Sequence, residues 1–234
     1  MNLFKRYLYF EILFKSNMIH PHTELQFISE KIGYGVIATK LIPKGTITWV
    51  LDKLDRIFTP QQVRAMDPLY QQVLDTYTYR NPEGKHILCW DNARFINHSS
   101  NSNCVTTAYE FEIAIRDIQP GEQLTDDYGY LNLEEPFEAE PEAGTNRTMI
   151  YPDDLIRYYH IWDEDLLNAF PRLLDVEQPL FKLLDPDIRE KAERIASGRE
   201  KMNSILSCYC PVHGKINGEA QFIRTRSPKV SYPF

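Results

Sequence analysis

Three short segments carry residue types that can handle a ligand: Lys31-Ile32-Gly33-Tyr34-Gly35-Val36, Arg94-Phe95-Ile96-Asn97-His98-Ser99, and Gly121-Glu122-Gln123-Leu124-Thr125-Asp126-Asp127-Tyr128-Gly129-Tyr130. A glycine lacks the Cβ that keeps other backbone away from a ligand, so Gly33 and Gly35 can present carbonyl and N–H groups directly. Asn97 offers both a donor and an acceptor. Each segment is weak alone, because a Gly-x-Gly pair is more often a plain turn and a tyrosine at a strand end is more often core. In this order and at this distance they form a specific set. A further grouping, Cys208-x-Cys210-x-x-His213 with Cys104 as a distant fourth ligand, is incomplete and unusually spaced for a metal site, and ordinary cysteines are the commoner reading.

Elements must hold these segments in place. Strand-like pieces with Gly/Pro punctuation run through Leu25–Ile28, Val36–Ala38 and, after the turn Ile42-Pro43-Lys44-Gly45, Thr46–Leu51. A helical insert over about 59–80 follows: Thr59 is a good N-cap, Pro60 suits the first helical position and Gln62 the capping box, and Asp67-Pro68 repeats the start signal. Strands are expected again at His86–Trp90, Cys104–Tyr109 and Phe111–Arg116. Residues 134–150 form an acidic linker, with five glutamates before Arg147 and with Pro136, Pro141 and Gly144 opposing regular structure. Residues 151–206 are helical in pattern, with starts at Asp153-Asp154, Asp163 and Asp185-Pro186. A segment of about 55 residues needs packing against the β-rich part to be stable. The domain reading is thus an N-terminal extension (1–18), a main domain (19–133), the linker, the helical region and a tail (207–234).

Length and composition bound the function class. The chain has 234 residues, 43% of them hydrophobic and 25% charged, which suits one or two folded domains and excludes a disordered, collagenous or coiled-coil chain. A net charge of −7 gives no general attraction to nucleic acid or to an anionic membrane. Four cysteines are too few for a disulfide scaffold, so a reducing, cytoplasmic setting is expected. The run Tyr7–Phe14 behind Lys5 and Arg6 imitates a signal peptide, but Glu11 interrupts it and no cleavage pattern follows. Met18 opens Met-Ile-His-Pro-His, so residues 1–17 read as an upstream extension or a start-site artefact.

The three segments together resemble the SET-domain protein-lysine methyltransferases over about residues 22–133. The resemblance implies a mostly β fold in which the Asn97-His98-Ser99 strand threads under the Tyr128 segment as a pseudoknot, with a short helical insert and here a helical C-terminal appendage. It implies S-adenosyl-L-methionine as cofactor, bound through Ile32, Gly33, Tyr34, Gly35, Arg94, Phe95, Asn97, His98 and Tyr128. The backbone at His98 would hold the adenine edge while its imidazole acts as a structural hydrogen-bonder. Tyr128 is the candidate catalytic residue, placing its phenolic oxygen beside the transferring methyl, and Tyr130 the candidate wall of the substrate-lysine channel. Asp127 is expected to be a structural carboxylate. Asp126 stands where relatives often carry Phe or Tyr, which leaves the number of methyls added open.

Many relatives bind zinc through a cysteine just after Asn-His-Ser and a cysteine-rich segment behind the core. Here those places hold Ser100, Ala139, Pro141 and Asn146, so no zinc is expected there, and the acidic linker or the helical region is expected to close the cofactor pocket instead. The substrate implied is a lysine-bearing protein or peptide, and a basic one would suit the acidic stretch 134–142, unless that stretch is only a solvated linker. No direct nucleic-acid or membrane partner is expected. A catalytically inactive cofactor- or partner-binding module, and an adaptor acting through residues 150–205, are the alternative readings.

Overall fold

The structure is a computed structural model and describes residues 19–211. The N-terminal extension, most of the tail and His213 lie outside the described residues. Strands β1 (Thr23–Ser29) and β2 (Gly33–Ala38) form an antiparallel hairpin in register from Thr23↔Ala38 to Ser29↔Gly33. Gly33 makes the turn back with φ of 82°, a conformation that L side chains resist. Strand β3 (Ile47–Val50), buried along its whole length, lies at one side of a three-stranded sheet with β8 (Cys104–Thr106) and β9 (Phe111–Ala114), in the order β3-β9-β8. A second three-stranded sheet orders β4 (Arg56–Phe58), β6 (His86–Leu88) and β5 (Thr78–Arg80) as β4-β6-β5.

The helical insert consists of α1 (Pro60–Arg64) and α2 (Pro68–Tyr77), entered by the two start signals that the sequence announces. Thr59 and Gln62 form a complete capping box, and Asp67 accepts the Leu69 N–H at the head of α2. Two residues, Asn97–His98 (β7), pair in parallel with Thr125–Asp126 (β10), which brings together segments almost thirty residues apart. The stretch expected as a structureless linker contains a small antiparallel pair, β11 (Phe137–Glu138) with β12 (Met149–Ile150).

Helices α3 (Asp154–Ala169) and α4 (Pro186–Ala196) follow, with 3-10 turns at Phe170–Leu174 and Ile205–Cys208. The start expected at Asp163 is not a boundary. Leu155, Trp162, Leu166 and Ala169 bury one continuous face of α3, and the Asp163 carboxylate accepts the Ile205 N–H at 2.8 Å rather than capping a helix. The main core cluster joins Val50, Tyr109, Phe111 and Ile113 to Trp162, Leu166, Phe170, Ala192 and Ile205, so the helices share a core with the β3-β9-β8 sheet. A second cluster lies beneath β2 and includes Val36, Ile96, Cys104 and Leu124.

The architecture is mixed rather than mostly β: several two- and three-stranded sheets accompany a short helical insert and are followed by the C-terminal helices. Strands of two to four residues bury little by themselves, and burial of the α3 and α4 faces supplies much of the remaining core. Among the described residues no helix is long and apolar enough to cross a membrane.

Candidate active site

Tyr128 opens a three-residue 3-10 turn, Tyr128–Tyr130, directly after β10. Three bonds hold that turn. The Tyr128 N–H donates to Nδ1 of His98 at 3.1 Å, the Tyr128 hydroxyl donates to the Ile96 carbonyl at 2.6 Å, and the Asp127 carboxylate accepts the Gly129 N–H at 2.9 Å. Burial, reinforced by nearby Asp126, pushes the Tyr128 phenol above its ordinary pKa, so it stays a neutral donor. His98 is also committed. Its Nδ1 is an acceptor, its Nε2 lies 3.4 Å from the Ser100 hydroxyl, and burial lowers its pKa despite Asp127, so the imidazole is neutral with its proton on Nε2.

The other expected ligand-binding residues have distinct roles. A Cβ on Gly33 would meet nothing within 4 Å, so its backbone faces open space. Gly35 does something else: a Cβ there would fall 2.5 Å from Gln123 Oε1 and 2.8 Å from Asn97 Nδ2. Its missing side chain makes room for Asn97 and Gln123 rather than for a ligand. Asn97 Nδ2 donates to the Tyr34 carbonyl at 3.1 Å and to Gln123 Oε1 at 3.0 Å, leaving its Oδ1 without a partner among the described residues. Arg94 is tied to the carbonyls of Cys89 and Trp90 and lies over the Phe95 ring. Its Nη1 group is therefore used structurally. Phe95 packs edge-on with Tyr34 and Tyr77, while Ile32 and Tyr34 stand exposed at the rim.

Tyr130 is not the wall of a channel. It is 1% exposed, its hydroxyl shares its one proton between Asp126 at 3.0 Å and the Cys104 carbonyl at 3.1 Å and accepts the Asp127 N–H, and its ring packs edge-on against Trp162 of α3. The arrival of α3 over this ring converts a residue expected at a surface channel into core.

Asp126 lies in an unusual place. Its carboxylate, that of Glu112 and the Cys104 sulfur all lie within 4.8 Å of one another, and all three residues are buried. Glu112 also accepts the Thr48 hydroxyl at 2.8 Å. Burial pushes both carboxyls up, Asp126 well above the ordinary range, where the neighbouring Glu112 charge adds to the shift. Two buried carboxyls this close cannot both ionise without cost, and a proton retained by the pair relieves that repulsion. The signal that could have found Glu112 is its standing as the one charged residue in the apolar strand Phe111-Glu112-Ile113-Ala114.

Two further residues come into the site from outside the three segments. Phe137 of β11 sets its ring 5.2 Å from His98 and 6.0 Å from Tyr128, centroid to centroid. Glu142 accepts from the Ser99 hydroxyl at 2.8 Å and from the Asn101 N–H at 3.2 Å, and Glu140 pairs with Lys31 of the β1–β2 connection. Segment 137–142 therefore packs on the Asn97-His98-Ser99 strand. Lys31 and Glu140 are largely exposed, so Glu140→Ala is expected to change stability by less than about 1 kcal/mol in a denaturant titration.

Cys208 and Cys210 do not join Cys104. Cys208 directs its sulfur to the Thr107 carbonyl, and burial pushes its thiol up to about 11, while Cys104 belongs to the acid pair. Ser100, standing where relatives place a zinc cysteine, sits against the Arg147 carbonyl at 3.4 Å.

The SET domain family model matches residues 33–129, which contain the Gly33–Gly35 turn, the β7/β10 pair and the start of the Tyr128 turn. The N-lysine methyltransferase KMT5A-A of Danio rerio is 32% identical over 130 residues, a match that takes in 49% of this chain and 37% of that protein. Residues 33–129 of this chain are thus similar to the SET domain family, and the chain spans well under half the length of the relative it matches.

Proposed function

We propose that the chain is a protein-lysine methyltransferase that uses S-adenosylmethionine and acts through Tyr128. The observation that carries the reading is the docking of the Tyr128 turn onto the β7 strand, with its N–H on His98 and its hydroxyl on Ile96. We read that crossing, together with the β7/β10 pairing, as the threaded connection of the family.

The residues present fit the cofactor. The open backbone at Gly33 and the unpartnered Oδ1 of Asn97 suit the charged amino-acid end, and the rings of His98 and Phe137 offer apolar faces to a purine. Segment 137–142, held by Glu142 on Ser99, is the closure over this end. When bound, the cofactor supplies a methyl group carried on a positively charged sulfur. The chain must present a neutral lysine amine, which at pH 7 costs about 4–5 kcal/mol relative to the free side chain. Burial of the amine near Tyr128 lowers that cost. Tyr128, a neutral phenol whose proton is given to Ile96, turns oxygen lone pairs toward the reacting groups and aligns them without acting as a strong base.

Calorimetric titration with S-adenosylmethionine and transfer of labelled methyl to protein in a cell extract test the reading. Binding with labelling supports it, and binding without labelling favours the inactive module. Asn97→Ala is expected to weaken cofactor binding about tenfold, since it removes an acceptor for a charged group and loosens the support of Tyr34 and Gln123. The fitted dissociation constants from the same titration check this.

A further inference from the structure

Arg147 stands at a node that joins the Tyr128 turn to the C-terminal helices. Its guanidinium binds both oxygens of Asp127, and from its other edge it donates to Oδ2 of Asp154, the first residue of α3, with Nη2 at 2.8 Å and Nε at 3.2 Å. The planar fork suits two carboxylates at once. Its flat face lies 4.8 Å from the Tyr158 ring centroid and 5.8 Å from that of Trp162, and Trp162 in turn abuts Tyr130. Asp127 and Asp154 are almost fully buried, so neither charge has water to turn to. Gly129 makes the approach possible, because a Cβ there would collide with Arg147 Nη2.

Asp127 is the cap of the turn that carries Tyr128. The turn has only three residues, so the position of its cap sets the direction in which the Tyr128 side chain leaves the backbone. Of its anchors, His98 and Ile96 belong to the same strand region, whereas the Asp127 anchor leads through Arg147 to α3. We propose that Arg147 is a positioning residue for Tyr128: by clamping Asp127 to α3 it makes the C-terminal helical region set the orientation of the catalytic hydroxyl. That the hydroxyl is catalytic rests on the methyltransferase reading, whereas the coupling of Arg147 to the Tyr128 side chain stands apart from it.

The test uses the full chain with ring-labelled tyrosine, the Tyr128 NMR signals being those lost in Tyr128→Phe. Arg147→Lys keeps the charge and loses the fork. In that variant, with folding verified by circular dichroism and a cooperative melt, the Tyr128 signals are expected to shift or broaden. Its kcat for methyl transfer is expected to fall at least about tenfold, with KM for the cofactor changed less than about twofold. Arg147→Ala opens space toward a cavity of about 520 Å³ lined by Asp127, Tyr158 and Trp162. Millimolar guanidinium ion is expected to enter there and restore the Tyr128 signals. A folded Arg147→Lys with unchanged Tyr128 signals and unchanged kcat overturns the proposal. Should that variant not fold, Asp154→Asn takes its place, because it weakens the tie to α3 while leaving Asp127 its partner. Shifted or broadened Tyr128 signals in Asp154→Asn support the proposal, and unchanged signals overturn it. A wild-type protein that binds cofactor and transfers no methyl defeats the methyltransferase reading, and the NMR signals then decide the role of Arg147 alone.

Discussion

Tyr128→Phe is expected to lower kcat for methyl transfer about 100- to 1,000-fold while leaving cofactor affinity within about threefold. The ring remains and continues to pack on His98 and Phe137, so the apolar part of the site survives. What disappears is one oxygen, fixed by its donation to the Ile96 carbonyl. A preorganised polar atom at the reacting centre contributes mainly to the transition state, so its removal should appear in kcat rather than in binding. The Ile96 carbonyl also loses its donor, and a stability loss of about 1 kcal/mol should accompany the change. Single-turnover transfer of labelled methyl, with calorimetry of the same protein, separates the two effects. A variant with near wild-type turnover would remove Tyr128 from the chemistry.

The buried acid pair makes a second large effect, on the pH dependence of stability. Asp126 and Glu112 both have pKa values raised by burial in the native state, whereas in the unfolded chain they ionise near the ordinary carboxylate values of about 4. The native protein therefore binds more protons than the unfolded chain above that pH, and stability falls as pH rises from there until the native pair itself ionises. Over that window the slope is about 1.4 kcal/mol per pH unit for each proton retained. Buried His86 and His98 work in the opposite sense, gaining stability as pH rises toward the ordinary histidine value, and Asp55, raised to about 6, works in the same sense as the pair. The pair is isolated by difference. Asp126→Asn carries no titrating proton and can still hydrogen-bond to Glu112, so above the ordinary carboxylate range its unfolding free energy should fall less steeply with pH than that of the wild type, by about the slope just given. Urea titrations of both proteins at several pH values measure this, and parallel curves would mean that the pair does not retain a proton.

The same pair explains a limit of reading by spacing. Asp126 and Glu112 are fourteen positions apart, in segments whose local patterns say only strand and turn, and no period links them. They meet because β8–β9 and the segment leading to Tyr128 fold onto the same face beneath Thr48. Tyr130 fails in a similar way. Its neighbour Tyr128 has the same residue type and lies two positions away, yet one reaches the site and the other is sealed under Trp162, a choice made by a helix residue more than thirty positions later.

Residue types and their spacing singled out Gly33, Asn97 and Tyr128 as candidates, and determined the family resemblance, the capped starts of α1 and α2, and the helical character after residue 150. These are local properties, fixed by backbone freedom, by side-chain oxygens at helix ends and by the period of apolar residues. Tertiary structure alone decided that Gly35 makes room for Asn97 and Gln123, that Arg94 is tied to backbone carbonyls, and that Arg147 clamps Asp127 to α3. Those roles depend on which charges and donors find partners in the packed chain, some only a turn away, as Arg94 does, and some about sixty residues off, as Asn97 does with Tyr34. That pairing is set by how the layers pack, because a buried polar group takes whatever partner the packed chain brings within reach.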